Sequence, residues 1–379
     1  MAKSDIESAF RLIPLRKSEY NLTGFYWHGY YIDKCLQMGS SSSCFIFERF
    51  SNALQYILRE KCQIVNNVKV IDDFLIFGQN ELQCLKNLQK FIETMLELGV
   101  PLSKPKTFRP STRMEFLGIV LDTQAMTAHV PENKIAEYSK EVEKYLGADT
   151  ITLKGLQSLL GKLNHTIQVI NVGRPFLRRL YDLLIGHTKP LATIKLTSGA
   201  KDDLELWYKF LHSNNLKPIK IEGNRLDSRQ INIGSDSSHK GFAATFGSRW
   251  IKGTFPPHWL HFSIALLELY PIYIIISMFK EELINAELIS VCDNLSVVHI
   301  INGQTSKCKK IMKILRPLVL TMLENNIVFK AIHIETKKNI LPDAISRQEE
   351  TAELLEEFGM RPKPEKIPRR LLPENFKEL

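Results

Sequence analysis

An apolar run from Val68 to Phe77 is broken by two adjacent carboxylates, Asp72 and Asp73. The residues around them, Val68-Lys69-Val70-Ile71 and Phe74-Leu75-Ile76-Phe77, have the pattern expected of a buried core strand. An ionised carboxylate inside such a strand is costly unless it is paired or metal-bound. Two side by side predict a hairpin turn that lifts the pair out of a sheet to hold a divalent cation. Asp5 supplies a third acid in a similar setting, just before Ile6, Ala9 and Phe10. Hard Mg²⁺ takes oxygen ligands, and two ions need several carboxylates between them, so the pattern suits two-metal phosphoryl transfer. A plain type I turn with Asp-Asp at its tip is the competing reading.

With 379 residues, 44% of them hydrophobic, the chain can build the cores of two or three globular domains. A net charge of +9 points toward a polyanionic partner, although an ordinary basic protein has the same balance. The six cysteines (Cys35, Cys44, Cys62, Cys84, Cys292, Cys308) form no CxxC pair and no zinc-ligand spacing. They read as reduced core thiols of an intracellular protein, in the cytoplasm or nucleus. Lys3, Asp5, Glu7, Arg11, Arg16, Lys17 and Glu19 interrupt the first twenty residues, in which no signal-peptide pattern is visible. The most apolar stretch, 263–279, is short and carries Glu268 and Pro271, so no membrane span is expected.

Three regions and a tail follow along the chain. Residues 1–130 mix short strands with helices. Leu85, Leu88, Ile92, Met95 and Leu96 recur at helical spacing up to Gly99, a C-terminal cap before Pro101. Residues 131–228 are mostly helical. Thr152 caps a helix with a Leu153, Leu156, Leu160, Leu163 stripe, and Gly173 and Pro175 restart another carrying Leu177, Leu180 and Leu184. Residues 229–348 alternate strands and helices, beginning with the strand Ile231-Asn232-Ile233, and predict an α/β domain on a mixed sheet. Residues 349–379, charged and then Pro-rich, read as a short helix leading into a linker.

The third region holds a second acid set. Asp236 follows the Ile231–Ile233 strand, Glu268 interrupts an apolar helix, Asp293 ends the strand Ile289-Ser290-Val291-Cys292, and Asp343 begins a helix after Pro342. Strand ends and helix starts at one edge of a sheet can converge, and four acids there could hold two Mg²⁺ ions around a phosphate. Each acid alone is also explained as a cap or surface residue.

These motifs, in this order, resemble the reverse transcriptase–ribonuclease H segment of a retrotransposon polyprotein, closest in phrasing to the DIRS-like, tyrosine-recombinase elements. Asp5-Ile6-Glu7-Ser8-Ala9-Phe10 resembles the first polymerase motif, which implies that Asp5 is a metal ligand and Phe10 a gate against the ribose 2′-hydroxyl. Gln37-Met38-Gly39-Ser40 resembles the second, with Met38 and Gly39 beneath the templating pair. Ile71-Asp72-Asp73 resembles the third, with Asp72 a metal ligand and Asp73 in support. Ser103-Lys104-Pro105-Lys106 resembles the fourth, with Lys106 near the departing pyrophosphate, and Glu115-Phe116-Leu117-Gly118 resembles the primer grip. On the ribonuclease H pattern, Asp236, Glu268, Asp293 and Asp343 are the catalytic metal ligands, with Asn339 on the substrate side and His333 in product release. A strand-end core histidine is the other reading of His333.

The resemblance implies an α+β palm-like polymerase domain, a helical thumb or connection, and a ribonuclease H-like α/β domain with a mixed sheet. It also implies two Mg²⁺ or Mn²⁺ ions per site, and as partners an RNA template, a DNA primer, deoxynucleotides and an RNA–DNA hybrid. Lys309, Lys313 and Arg316 on one helix face would contact phosphates, with Arg174, Arg178 and Arg179 as a second basic set; a merely solvated helix face is the alternative. Two motif positions depart from the family: Val70 stands where an aromatic residue is usual and Gln37 where a proline is. The chain begins almost at the first motif, so the family's fingers region is expected to be missing and the polymerase half weakened. The competing class is a catalytically silent nucleic-acid-binding remnant.

Overall fold

Where the two aspartates stand, the apolar run does turn. The computed structural model describes residues 1–212, 219–220, 225–227, 233–284, 286–325 and 327–376. In it, Asn67–Val70 and Asp73–Ile76 are antiparallel strands joined across Ile71 and Asp72. Ile71 takes φ 55°, a left-handed conformation that a β-branched residue seldom adopts. The Ser51 hydroxyl holds it there by donating to the Ile71 carbonyl at 2.5 Å. The chain divides into two compact units, Met1–Pro131 and Glu132–Leu379.

In the first unit, Asp73–Ile76 is the centre of a three-stranded antiparallel sheet, between Ala2–Asp5 and Asn67–Val70. Its core packs Phe74 and Ile76 against Phe47, Leu54 and Leu58 of the helix Ser43–Glu60 and Leu88, Phe91 and Met95 of the helix Glu81–Glu97. The second helix ends as expected at Gly99, φ 69°, with Val100 N–H bonded to the Met95 carbonyl and Gly99 N–H to that of Leu96. Its buried stripe is Cys84, Leu88, Phe91 and Met95, whereas Ile92 and Leu96 of the expected stripe are exposed. Arg113–Phe116 and Ile119–Asp122 form a hairpin whose turn, Leu117 at φ 50° and Gly118 at φ 77°, is type I′.

The second unit opens with the helices Glu132–Leu146, Leu153–Thr166 and Ser198–His212. Thr152 caps the second of these, its hydroxyl oxygen accepting from Gly155 N–H. Gly173 and Pro175 lie inside the 3₁₀ helix Asn171–Leu177, and the α-helix that follows, Arg178–Asp182, carries Leu180 but is only five residues long and stops short of Leu184. The sheet that follows runs Arg249–Gly253, Phe242–Phe246, Gly234–Ser237, Glu287–Cys292, Val328–His333, with antiparallel pairing in the first half and parallel in the second. Arg225–Asp227 also pairs with Glu287–Cys292. Asp236 lies inside the strand Gly234–Ser237 rather than after one at 231–233, of which 231 and 232 lie outside the described residues.

Packed on this sheet is the helix Ile264–Met278, apolar nearly all round and therefore central to the unit. Pro271 within it has no N–H for the Leu267 carbonyl four residues back, and the Ser237 hydroxyl donates to that carbonyl instead, at 2.9 Å. One bond thus fixes the helix that carries Glu268 to the strand that carries Asp236.

The segment after Arg347 is not a free linker. Arg361 N–H bonds Ser248 O, Glu365 N–H bonds Trp250 O and Trp250 Nε1 donates to Arg361 O, so the segment lies along the edge strand Arg249–Gly253. Leu371 is buried, and Phe376 packs edge-on against Trp259, Tyr270 and Tyr273. The cysteines are not uniformly core thiols either: Cys84 and Cys292 are buried, Cys44 and Cys308 exposed. Among the described residues no helix is long and apolar enough to cross a membrane.

Candidate active sites

The sheet register of the first unit pairs Asp5 with Asp73, and Ile6 N–H bonds the Asp72 carbonyl, which brings the three acids to one sheet end. Asp5 is buried, and Asp72 and Asp73 are half-buried. Burial raises the pKa of Asp72 above the ordinary carboxylate range, and the charge of Asp5 adds to it. Burial likewise raises Asp73, with Asp5 and Asp72 adding. The 3₁₀ turn Lys104–Lys106 is pinned to the first strand by Ser103 N–H on Asp5 O. It brings the Lys106 ammonium to 3.1 and 3.2 Å from the two Asp5 carboxylate oxygens. That hydrogen bond raises the lysine pKa.

Phe10, next along from Asp5, packs edge-on against Phe47 at 5.4 Å. Gly39 turns at φ 89° while Met38 beside it is almost wholly exposed.

The second unit brings its four acids together from four elements. Asp236 is buried and receives the Ser346 hydroxyl; desolvation raises its pKa, with Asp293 and Asp343 adding. Glu268 is also buried, and desolvation, reinforced by Asp293 and Asp236, pushes its carboxyl up to about 7. Asn294 donates to Glu268 Oε1 at 3.1 Å while its own Oδ1 caps the helix Leu295–Gly303. Ligand atoms of Glu268, Cys292 and Asp293 lie within 4.8 Å of one another. Asn339, buried, donates to Ser235 O at 3.1 Å and reaches Asp293 Oδ1 at 3.5 Å. Asp343, in the first turn of Ile340–Ser346, carries Arg347 at 2.8 Å.

By donor chemistry the carboxylates of both sets suit a hard divalent cation, and among the described residues Glu268, Cys292 and Asp293 are the group whose ligand atoms already lie close together. Burial first, and neighbouring carboxylates after it, raise the pKa values of Asp72, Asp73, Asp236 and Glu268, so a cation that takes oxygen ligands would offset the cost of ionising them.

His333 is exposed at the end of Val328–His333, paired in register with Cys292, which excludes the core-histidine reading. Lys309 and Lys313 are exposed on the helix Lys309–Glu324. Arg316 is not available to phosphate: it turns inward onto the fully buried Asp203, donates to Pro175 O and stacks on Phe176. Arg178 pairs with Asp182, Arg179 with Asp203 and Asp202, and Arg174 donates to Gly303 O. Ser237, Ser346, Asn294 and Arg347 are contributors that the sequence reading missed. Of these, only Asn294 carries a local signal, as a cap residue opening an apolar run.

Residues 1–121 match the family described as reverse transcriptase (RNA-dependent DNA polymerase). An enzymatic polyprotein of Cassava vein mosaic virus is 25% identical over 365 residues, covering 91% of this chain and 52% of that protein. The retrovirus-related Pol polyprotein from transposon gypsy of Drosophila melanogaster is 25% identical over 264 residues, 65% of this chain and 24% of that one. The chain therefore spans about half the length, or less, of these curated relatives. Among solved structures, the foamy viral protease-reverse transcriptase in complex with RNA/DNA hybrid aligns over 97% of this chain and 46% of that chain, with 18% identity and a TM-score of 0.49. Residues 1–121 are thus a reverse transcriptase domain of the kind found in retroelement and retroviral polyproteins.

Proposed function

We propose that the chain is the reverse transcriptase–ribonuclease H part of a retroelement polyprotein, DIRS-like on motif phrasing. Its first unit joins deoxynucleotides to a DNA primer on an RNA template, and its second cuts the RNA strand of the resulting hybrid. The observation that carries the first half is the convergence of Asp5, Asp72 and Asp73 at one sheet end within the stretch that matches a reverse transcriptase. For the second half it is the convergence of Asp236, Glu268, Asp293 and Asp343 from separate elements, with Glu268 poised near neutrality.

Asp5 and Asp72 would hold Mg²⁺ in the first site, and the four acids would hold it in the second. When bound, the cation supplies charge stabilisation for phosphoryl transfer. Asp73 supports the first set, and Phe10 limits the sugar pocket. Lys106, held by Asp5 but with its side chain 61% exposed, would turn from that carboxylate to the phosphates of the incoming nucleotide. In the second site Ser346 and Asn294 fix the orientation of Asp236 and Glu268, and Arg347 that of Asp343. Asn339, and His333 at the exposed strand end, face the substrate side.

The test is two assays on the full chain with Mg²⁺ or Mn²⁺: primer extension on RNA, and cutting of a labelled RNA–DNA hybrid. Asp72→Asn is expected to abolish extension and spare cutting, and Asp293→Asn the reverse, each loss being about a hundredfold or more. A folded wild-type chain inert in both assays would leave the silent-remnant reading.

A further inference from the structure

Between the first and second polymerase-like motifs the chain projects a two-stranded ribbon, Gly24–Tyr26 paired antiparallel with Tyr30–Ile32. Phe25 and Tyr31 stack on one face with centroids 5.6 Å apart; Tyr26 and Tyr30 meet edge to face on the other at 5.3 Å. Trp27 leans on His28 at the tip. These five aromatic rings are 50% to 92% exposed. A strand pair normally buries one face, and a contiguous exposed apolar surface marks an interaction site. Here both faces of the ribbon carry rings and neither has a core beneath it.

The root of the ribbon is firmly attached. Arg11 grips Asp33 at 2.5 and 2.6 Å, Leu15 N–H bonds Lys34 O, and Leu36 N–H bonds Ile13 O. Arg11 belongs to the 3₁₀ turn Ala9–Leu12 that also bears Phe10, five residues after Asp5. The aromatic surface is therefore built on the segment that carries the first acid site.

Its surroundings decide what it binds. Arg16, Lys17 and Lys34 at the root are exposed and have no ion pair among the described residues, while the nearby Asp33 is taken by Arg11. A protein partner would cover one face of a ribbon. Rings on both faces above a cationic root instead match a strand whose bases are free to stack and whose phosphates need neutralising. A duplex keeps its base faces inside the stack and cannot use the rings.

We propose that the 24–32 ribbon is a stacking platform for the unpaired bases of single-stranded nucleic acid, and, resting on the polymerase reading above, of the template strand.

The four tryptophans make the test specific, because Trp207, Trp250 and Trp259 are buried and Trp27 is 70% exposed. The full chain is titrated with an oligothymidylate and with a blunt duplex of equal length, reading tryptophan quenching and the anisotropy of a labelled strand. The expected result is quenching of Trp27 by the single strand and little by the duplex. Trp27→Ala and Tyr30→Ala each weaken single-strand binding about tenfold, and Trp27→Phe, which keeps a ring, retains it. Undiminished affinity in the Trp27→Ala/Tyr30→Ala double variant overturns the proposal. So does a Trp27 shielded from acrylamide in the free protein, together with a concentration-dependent dimer that the same changes dissolve. Asp72→Asn, which is expected to abolish extension, leaves the quenching intact. Extension without quenching sinks the ribbon alone, whereas quenching without extension supports the ribbon and sinks the polymerase reading.

Discussion

Glu268 keeps its proton in the folded chain up to about pH 7, against an ordinary value of 4.5, because burial beside Asp293 and Asp236 penalises its charge. The sign of the effect on stability follows. Below about 4.5 both folded and unfolded chains hold the proton. Between there and about 7 only the folded chain does, so stability falls as pH rises through that window, by on the order of 3 kcal/mol. Asp236, raised for the same reason, acts in the same direction. Thermal melts without divalent cation should therefore drop in midpoint from pH 5 to pH 8, and Mg²⁺ should restore part of the loss at the upper end. Glu268→Gln should flatten the profile and blunt the Mg²⁺ response; an unchanged slope in that variant would refute the burial argument. The acids themselves were legible in the sequence, because a carboxylate within an apolar run breaks a strong rule and has to be explained. Their partners were not. Ser237 matters because Pro271 frees a carbonyl 30 residues further on, and Ser346 because it reaches back to Asp236 across 110. A serine carries no local mark of such a bond.

At the level of elements, periodicity finds the helices Glu81–Glu97, Leu153–Thr166, Ile264–Met278 and Lys309–Glu324 but not Ser43–Glu60 or Ser198–His212. Leu295–Gly303, whose Val297-Val298-His299-Ile300-Ile301 core reads equally as a strand, is a helix set by its Asn294 cap. On the Lys309–Glu324 helix the expected basic face holds for Lys309 and Lys313, both exposed, but not for Arg316. Amphipathic spacing puts an arginine on the outer face, and only the folded chain reveals Asp203 waiting beneath it, fully buried. Arg316 joins Ser198–His212, which carries Asp203, to Lys309–Glu324, the helix that packs on the sheet-covering helix Ile264–Met278. Removing one partner of a buried pair strands the other's charge, so Arg316→Ala should cost about 3–5 kcal/mol, and Arg316→Met/Asp203→Leu should recover much of it. Denaturant melts of the single and double variants give the answer. If Arg316→Ala melts like wild type and only weakens nucleic-acid binding, the arginine is a phosphate contact after all.

On the scale of the whole chain, the sequence suggested a freestanding α/β domain at 229–348 between a helical connector and a loose tail. The structure joins all three. The helical segment and the sheet share one core, in which Leu204, Trp207 and Phe176 lie in the same cluster as Tyr270, Ile314 and Leu318. The tail supplies backbone partners to the edge strand Arg249–Gly253, buries Leu371, and sets Phe376 against three aromatic rings. An unpaired edge with exposed aromatics beside it is a template for aggregation. None of this shows in composition, since a Pro-rich charged stretch looks the same as a linker or as a strap; its contacts decide which it is. The smallest piece that carries the four-acid site as a stable fold is therefore the second unit entire. Residues 132–379 expressed alone should melt cooperatively and, on the proposed function, cut the hybrid. Residues 229–348 lose the strap and the Asp203 pairing together, leaving Arg316 unpaired and the faces around Trp250, Trp259 and Tyr270 open to water. That fragment should be insoluble or melt without cooperativity. Calorimetry on the two fragments decides between the alternatives, because a 229–348 piece melting at the temperature of 132–379 would mean that the strap and the connector add nothing to the fold.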